Sequence, residues 1–367
     1  MKKAFAILIV VLTAFITFKT SAKSIDTDDI LKEQMDLSGV DKLYDALPED
    51  ISNALKDFEI ENIIKDDDAI SFGRLIENFS ELFKPQFNDV IACGFSVLAL
   101  LLAAATFNSF GDENKVLKYA VTVGVTTAAV VPAAKLITSV VSAVKAFSTF
   151  MVSFVPIYAG VLASSGKALT AAGYSSIMLL AVEGINLICA FVLIPLSGMQ
   201  LSLGICSPLG EGIDISGVAA AIKKFSMWTL SGLTTLLLGF LSVQTIITGS
   251  KDNLISKTAK FVAGTAIPLV GPTVSEAMNI IKGCLKLLSS SVLIYAVIAV
   301  ALILLPILLK LVIWRVAMNL CSFSASMLSL DKPSKLLKSI DSVFAFLIGI
   351  LTLSMLLFLI SLTIVSL

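Results

Sequence analysis

The sequence predicts an all-α membrane protein: a polytopic helix bundle of about eight spans, preceded by a signal peptide and a small helical extracytoplasmic segment. Two observations lead to this prediction. Apolar residues make up 57% of the chain and charged residues only 15%, a balance that soluble domains of this size rarely show. In addition, an export signal comes first, an acidic segment follows, and apolar stretches of span length continue to the last residue.

The first 22 residues have the pattern of a signal peptide. Lys2 and Lys3 precede an apolar run over residues 4–18, and small residues lead up to Ala22, as a signal peptidase requires. We expect cleavage after Ala22, with an uncleaved anchor as the alternative. Either outcome leaves the next segment on the same side of the membrane.

Residues 23–89 form an acidic segment with 18 acidic and seven basic side chains. Lys and Arg are retained in the cytoplasm, so a segment dominated by acids behind a signal is predicted to be extracytoplasmic. We expect two to four short helices, one of them starting where Pro48 precedes Glu49 and Asp50. The run Asp66–Asp68 is interpreted as a solvated helix cap, because it lacks the further ligands and spaced Gly of a calcium loop.

One apolar stripe in the acidic segment is a candidate partner face. Its members recur at helical spacing, and the charged residues around them fall largely outside the stripe. The stripe needs burial against the membrane surface, the loops of the membrane domain or a partner protein. It consists of Phe72, Leu75, Ile76, Phe79, Leu82 and Phe83.

Residues 90–367 form the predicted membrane domain, in which a span needs roughly 20 apolar residues. Seven stretches are clear candidates: 90–107, 119–134, 146–163, 176–197, 225–248, 287–309 and 343–365. An eighth, 261–275, is short and contains two prolines. Counting it as a span leaves 11 basic residues in cytoplasmic stretches and six in outer ones, as the positive-inside rule favours. We therefore predict eight spans with both ends of the chain outside.

Glu183 is the most unusual side chain in the predicted spans. It lies in the middle of 176–197, and Asn186 follows on the same helical face. An ionisable group at this depth costs roughly 2.5–3.5 kcal/mol on insertion scales, so it normally faces a bundle interior, a partner or water. The pair is interpreted as a structural interhelical hydrogen bond or as part of a conduction or proton pathway. Gln244, near the cytoplasmic end of its span, is a weaker candidate of the same kind.

The second candidate pathway element is AGTAIPLVGPTVSEA, residues 263–277. Pro268 and Pro272 each remove a backbone donor and Gly271 loosens the chain between them, so a continuous straight helix is not expected there. Broken helices at membrane depth line substrate sites in transporters. Proline kinks are also ordinary in membrane helices, so a pathway and a simple kink both remain open.

Several enzyme classes are excluded by residues that the sequence lacks. It contains no His, which removes the commonest acid–base group and the commonest metal ligand. It also has no GxxxxGK[ST] phosphate loop and no CxxC spacing among its five Cys. We predict no enzymatic activity, no cofactor, no metal and no nucleic-acid partner, and we expect the lipid bilayer to be the main environment.

The most specific run of the carboxyl half is KTAKF…IPLVGPTVSEA, residues 257–277, followed by LLPILLKLVIWRVAMNLCSF at 304–323. Together with the signal peptide, the acidic segment and the multi-span layout, these runs resemble the stage III sporulation protein AE family of endospore-forming bacteria. Pro272 stands where the family pattern has a small residue, so the local backbone is expected to differ.

The resemblance implies a role in the mother-cell membrane around the forespore. It implies partners as well: other stage III sporulation membrane proteins, a forespore membrane protein and a separate ATPase, which together form a channel or secretion-like complex between the two cells. The chain would be its membrane-embedded pore or platform. The alternatives are a non-conducting scaffold that anchors partner rings and an independent small-molecule transporter.

Overall fold

The computed structural model is helical throughout the ranges in which it describes regular structure, which confirms the all-α class there. The backbone is described for residues 35, 38–40, 42–55, 60, 72–109, 115–165, 167–209, 216–248 and 271–366. Side chains are described for residues 35, 38–40, 42–49, 51–55, 60, 88–106, 120–165, 167–168, 170–206, 217–239, 286 and 288–362. The predicted signal peptide, residues 1–22, lies outside both sets.

In chain order the described helices are α1 (Lys42–Asp45), α2 (Glu49–Leu55), α3 (Phe72–Ser109), α4 (Lys115–Ser164), α5 (Ala168–Ile188), a π-helical turn (Cys189–Leu193), α6 (Ile194–Leu209), α7 (Ser216–Thr248), α8 (Gly271–Met327) and α9 (Asp331–Ser366). The longest described helices are α3, α4 and α8.

Helix α9 is the centre of the bundle. It contacts α4, α5, α6, α7 and α8, and its apolar side chains are buried around the whole circumference of the helix, as expected for a core helix that is apolar on every face. It forms an antiparallel hairpin with α8 through a tight turn at 328–330, where Ser329 has a φ of 60°. Helices α3 and α4 pack against α8 and against each other.

Five described stretches are long and apolar enough to cross a membrane: Asn88–Thr106, Ala120–Ser164, Thr170–Cys206, Leu288–Met327 and Asp331–Leu362. They contain six of the eight predicted spans. A seventh, 225–248, lies in α7, which is helical over its whole length. Most of the eighth, 261–275, lies outside the described residues.

Two predicted spans, 119–134 and 146–163, are a single continuous helix, α4. The prediction of a loop between them is wrong, because Lys135 and Lys145 lower the local hydropathy without interrupting the helix, and both lie exposed on its surface. With 50 residues, α4 is about 75 Å long at 1.5 Å per residue. It therefore extends beyond a hydrocarbon core of roughly 30 Å.

The predicted topology is also wrong about two connections, those within 197–225 and 309–343. It placed them on opposite sides of the membrane, whereas the structure places both at one end of the bundle: Gly204 of α6 approaches Ser339 of α9, and Leu230 of α7 approaches Gly349 of α9. The physical reason is the continuity of α8, in which residues 271–275 belong to the same helix as 287–309. The described helices between the two connections are α7 and α8, and the described contacts place both connections at one end of the bundle.

An aromatic cluster joins α4, α5 and α9 at the other end of the bundle. The ring centroids of Phe154 and Tyr158 lie 5.4 Å apart, and those of Tyr158 and Tyr174 lie 6.0 Å apart. Buried tyrosine hydroxyls need hydrogen-bond partners, and both have one: Tyr158 lies 2.9 Å from the Ser289 hydroxyl and Tyr174 lies 2.7 Å from the Ser361 hydroxyl. These bonds tie α4 to α8 and α5 to α9.

The described part of the acidic segment packs on the bundle. The helix predicted after Pro48 is confirmed as α2, with Ile51 and Leu55 buried. α2 contacts α8 and α1 contacts α4, and the rings of Tyr44 and Tyr295 meet edge to face with centroids 5.3 Å apart. The acidic segment therefore contacts the bundle around Tyr295.

Replacing Gly204 with Ala tests the close approach of α6 to α9. A Cβ at Gly204 would collide with the Ser339 side chain, whereas a Cβ at Gly198, on the same helix, would meet no described atom within 4 Å. Since Ala favours helix over Gly by about 1 kcal/mol, we expect Gly198→Ala to stabilise the protein slightly. Gly204→Ala should instead destabilise it by about 1–3 kcal/mol through overpacking. Thermal unfolding in detergent measures both, and equal stability of the two variants would contradict the packing.

Candidate functional site

Glu183 lies on the outward surface of α5, not in the interior of the bundle. Its carboxylate is exposed, and the residues around it are large, apolar and exposed as well: Leu180 is 70% exposed, Leu187 61% and Phe191 75%. We call these four residues the Glu183 face. An acidic group in the middle of an apolar candidate span, Thr170–Cys206, thus points away from the other described helices.

Asn186 and Gly184 flank the Glu183 face. Asn186 is half-buried, so the structure keeps it beside Glu183 as the helical spacing predicts. A Cβ built on Gly184 would meet no described atom within 4 Å. No described helix of the same chain therefore packs closely against Gly184.

A π-helical turn follows this site directly. The N–H of Ile194 bonds the carbonyl of Cys189, five residues back, and Pro195 comes next, which has no N–H to continue the regular helical pattern. Single π turns of this kind are frequent at functional sites. Here the turn separates α5, which carries Glu183, from α6, which packs on α7 and α9.

The other sequence candidates lie at the edges of what the structure describes. Gln244 belongs to the helical backbone of α7, with its side chain outside the described residues. Gly271 and Pro272 are the first two described residues of α8, where a proline sacrifices no intrahelical donor, and Pro268 lies outside. The stripe from Phe72 to Phe83 has a helical backbone in α3; its side chains are outside the described set.

Sequence reasoning missed a cavity of about 170 Å³ between α6, α7, α8 and α9. We call it the basic cavity. It is lined by Gln200, Lys223, Met227, Arg315, Lys338, Asp341, Ser342, Ala345 and Phe346.

Arg315 of α8 and Asp341 of α9 form a two-point ion pair in this cavity. Arg315 Nε donates to Asp341 Oδ1 at 2.8 Å and its Nη2 donates to Oδ2 at 3.2 Å. Asn319 Nδ2 adds a third bond to Oδ1 at 2.8 Å. The side chains are 29% and 16% exposed, so the pair is partly shielded from solvent. Paired donors on a carboxylate fix geometry as well as charge.

The signal for this pair was present in the sequence. Arg315 and Asp341 each lie 13 residues from Leu328, at the turn between α8 and α9. An antiparallel hairpin brings residues at equal distances from its turn to the same level, so the spacing indicates the pairing once the turn is known. A second bond at the same end, from Gln200 Nε2 to Ser226 Oγ at 2.7 Å, joins α6 to α7 and has no such signal.

A double-mutant cycle tests the strength of the Arg315–Asp341 pair. We expect a coupling energy of about 1–3 kcal/mol, between the values for exposed and fully buried pairs, measured by unfolding of Arg315→Met, Asp341→Leu and the double variant. Of the single variants, Asp341→Leu should lower the free energy of unfolding the most, because it leaves the partly buried guanidinium of Arg315 without its carboxylate. Additive effects of the two single changes would show that the pair does not stabilise the hairpin.

The fold and these two sites define a helical membrane protein with a polar cluster at one end and an acidic residue on its apolar surface. The chain belongs to the stage III sporulation protein AE family, whose model matches residues 55–367. A curated relative of the same name from Bacillus subtilis (strain 168) is 27% identical over 150 residues. That match covers 41% of this chain and 38% of the relative, well under two thirds of the relative's length. No solved structure matches.

Proposed function

We propose that this chain is a membrane-embedded platform of the channel or secretion-like complex that connects mother cell and forespore during sporulation. The observation that carries the proposal is the Glu183 face. A carboxylate turned toward lipid is costly, so its position favours a second membrane protein seated on α5. The family supports the sporulation role, and the five long apolar helices support the membrane location.

A platform fits the bundle interior better than a pore through a single chain does. No buried side chain among the described residues is charged, and large apolar side chains such as Phe154 and Phe344 are fully buried between the helices. A charged pathway through the middle of one chain has no support among these residues. A pore shared between several chains would instead place Glu183 at the seam between them.

The expected partners are other stage III sporulation membrane proteins and a forespore membrane protein. We assign no enzymatic activity to this chain, so a separate ATPase of the same complex would supply energy. The proposed location is the mother-cell membrane around the forespore, with the acidic segment in the space between the two cells.

Charge distribution supports an orientation for the bundle. Lys223, Lys224 and Lys338 lie near the connections after α6 and α8, and the acidic segment contacts the bundle near Tyr295. Tyr295 and Arg315 are 20 residues apart on α8, about 30 Å along a helix, which is roughly the thickness of the hydrocarbon core. Since basic loops are retained in the cytoplasm, we propose six crossings, with the basic cavity at the cytoplasmic end.

Cysteine accessibility tests this orientation. In a chain whose native Cys are replaced by Ser, Lys224→Cys and Lys335→Cys should react with a membrane-impermeant maleimide only in inverted vesicles. Lys42→Cys should react only from the outer side. All three side chains are exposed in the structure. Reaction of Lys224→Cys and Lys335→Cys from opposite sides would restore the eight-span arrangement and contradict the six-span proposal.

Glu183→Leu tests the platform. Leu suits a lipid-facing position, so the variant should fold and insert normally. Loss of an ionic partner in an interface costs roughly 2–5 kcal/mol, so we expect partner proteins to be lost on co-purification and the yield of heat-resistant spores to fall toward that of a deletion strain. Thr235→Leu, at an exposed site on α7, is the matched control and should behave like the unaltered protein.

Two results would contradict the proposal. Normal spore yield with Glu183→Leu would remove the role of the Glu183 face. Normal spore yield in the deletion strain would contradict the proposed sporulation function itself, whatever the result for Glu183→Leu.

A further inference from the structure

The basic cavity carries an excess of positive charge. Lys223, Lys338 and Arg315 line it, together with one carboxylate, Asp341. That carboxylate already accepts two hydrogen bonds from Arg315 and one from Asn319. Among the described residues neither lysine forms an ion pair, so two positive charges remain uncompensated at the mouth of one cavity.

The position of the cavity coincides with the edge of the apolar surface. On α9 no charged residue follows Asp341, and on α8 the charge-free stretch 287–309 ends at Lys310. Both lysine side chains are exposed. Deeper along α7 and α9 the lining becomes apolar, with Met227, Ala345 and Phe346. The two lysine ammonium groups therefore lie at the rim of the basic cavity, and its apolar side chains lie on the side nearer to the hydrocarbon.

We propose that the basic cavity binds the phosphate headgroup of an anionic phospholipid, with Lys223 and Lys338 as the groups that contact the phosphate. Basic pockets between membrane helices hold such headgroups, and long lysine side chains reach the interface while their stems lie along apolar surface. The cavity volume of about 170 Å³ leaves room for one phosphate group.

The lining favours a lipid over a soluble anion or an acidic peptide. A free phosphate needs only the two lysines, whereas a phospholipid also uses the apolar wall of Met227, Ala345 and Phe346 for the glycerol and the first acyl carbons. An acidic peptide would leave that wall exposed to water. The lipid is the ligand that uses both kinds of lining at once.

The test is titration of the purified full chain, in an uncharged detergent, with dioctanoyl phosphatidylglycerol, with native mass spectrometry to measure occupancy. The Lys223→Ala/Lys338→Ala double variant should weaken binding roughly 20- to 30-fold, at about fivefold per basic residue. The control double variant, Lys224→Ala/Lys335→Ala, removes the same charge from exposed lysines of the same two helices that do not line the cavity. It should retain the affinity of the unaltered chain within about twofold. Ala345→Leu keeps every charge but narrows the cavity, and it should also weaken binding.

Three further ligands complete the test. Dioctanoyl phosphatidylcholine should bind more weakly than dioctanoyl phosphatidylglycerol, because the phosphatidylcholine headgroup carries no net negative charge. Inorganic phosphate or a polyglutamate peptide that binds as tightly as the lipid would assign the cavity to a soluble anion or to a protein partner and overturn the proposal. Equal loss of lipid in the two double variants would overturn it too, since it would show a general surface-charge effect.

Discussion

Enclosure of α9 is the constraint on which the rest of the bundle depends. From residue 342 onward this helix has no charged side chain, and five other helices cover it. Such close covering requires small residues where helices meet, which explains why Gly204 approaches Ser339 and Gly349 approaches Leu230. It also favours hydrogen-bond partners for polar atoms in the interior, and among the described buried side chains only Trp314 Nε1 lacks one. The tyrosine hydroxyls of α4 and α5 meet serine hydroxyls of α8 and α9, so these four helices are joined in pairs by directional contacts.

Charged groups of the described bundle are confined mostly to its ends, and this separation gives the two ends different chemistry. The end near Tyr295 receives the acidic amino-terminal helices, and the end near Arg315 contains the ion pair and the cavity lysines. Between them lies a stretch of α8 without a charge, from residue 287 to 309. A bilayer tolerates such a stretch and excludes charge from it. The difference in charge between the two ends therefore follows from how the helices pack. It does not depend on how many times the whole chain crosses the membrane.

The helical class, the helix at Glu49–Leu55 and most of the apolar helices could be predicted from sequence, because propensity and hydropathy act locally. The described residues show an error where hydropathy and helix continuity differ: Lys135 and Lys145 lower the local hydropathy, yet α4 is one continuous helix and not two. The orientation of Glu183 was not predictable either. In a helix that is apolar on all sides, periodicity does not show which face packs inward, so only tertiary contacts place the carboxylate on the outer surface.

The two polar features outside the helix core need different surroundings, and neither is completed by the described residues of this chain. The Glu183 face places a carboxylate among Leu180, Leu187 and Phe191, where lipid offers no hydrogen-bond donor and a neighbouring membrane helix does. The basic cavity presents unpaired ammonium groups at the edge of the apolar surface, where an anionic headgroup is the nearest source of opposite charge. The Glu183 face favours contact with protein inside the membrane, and the basic cavity favours contact with lipid at the membrane boundary. Both features therefore support the proposal that this chain is a component of a larger membrane assembly, since each is unfavourable when the bundle stands alone in a neutral bilayer.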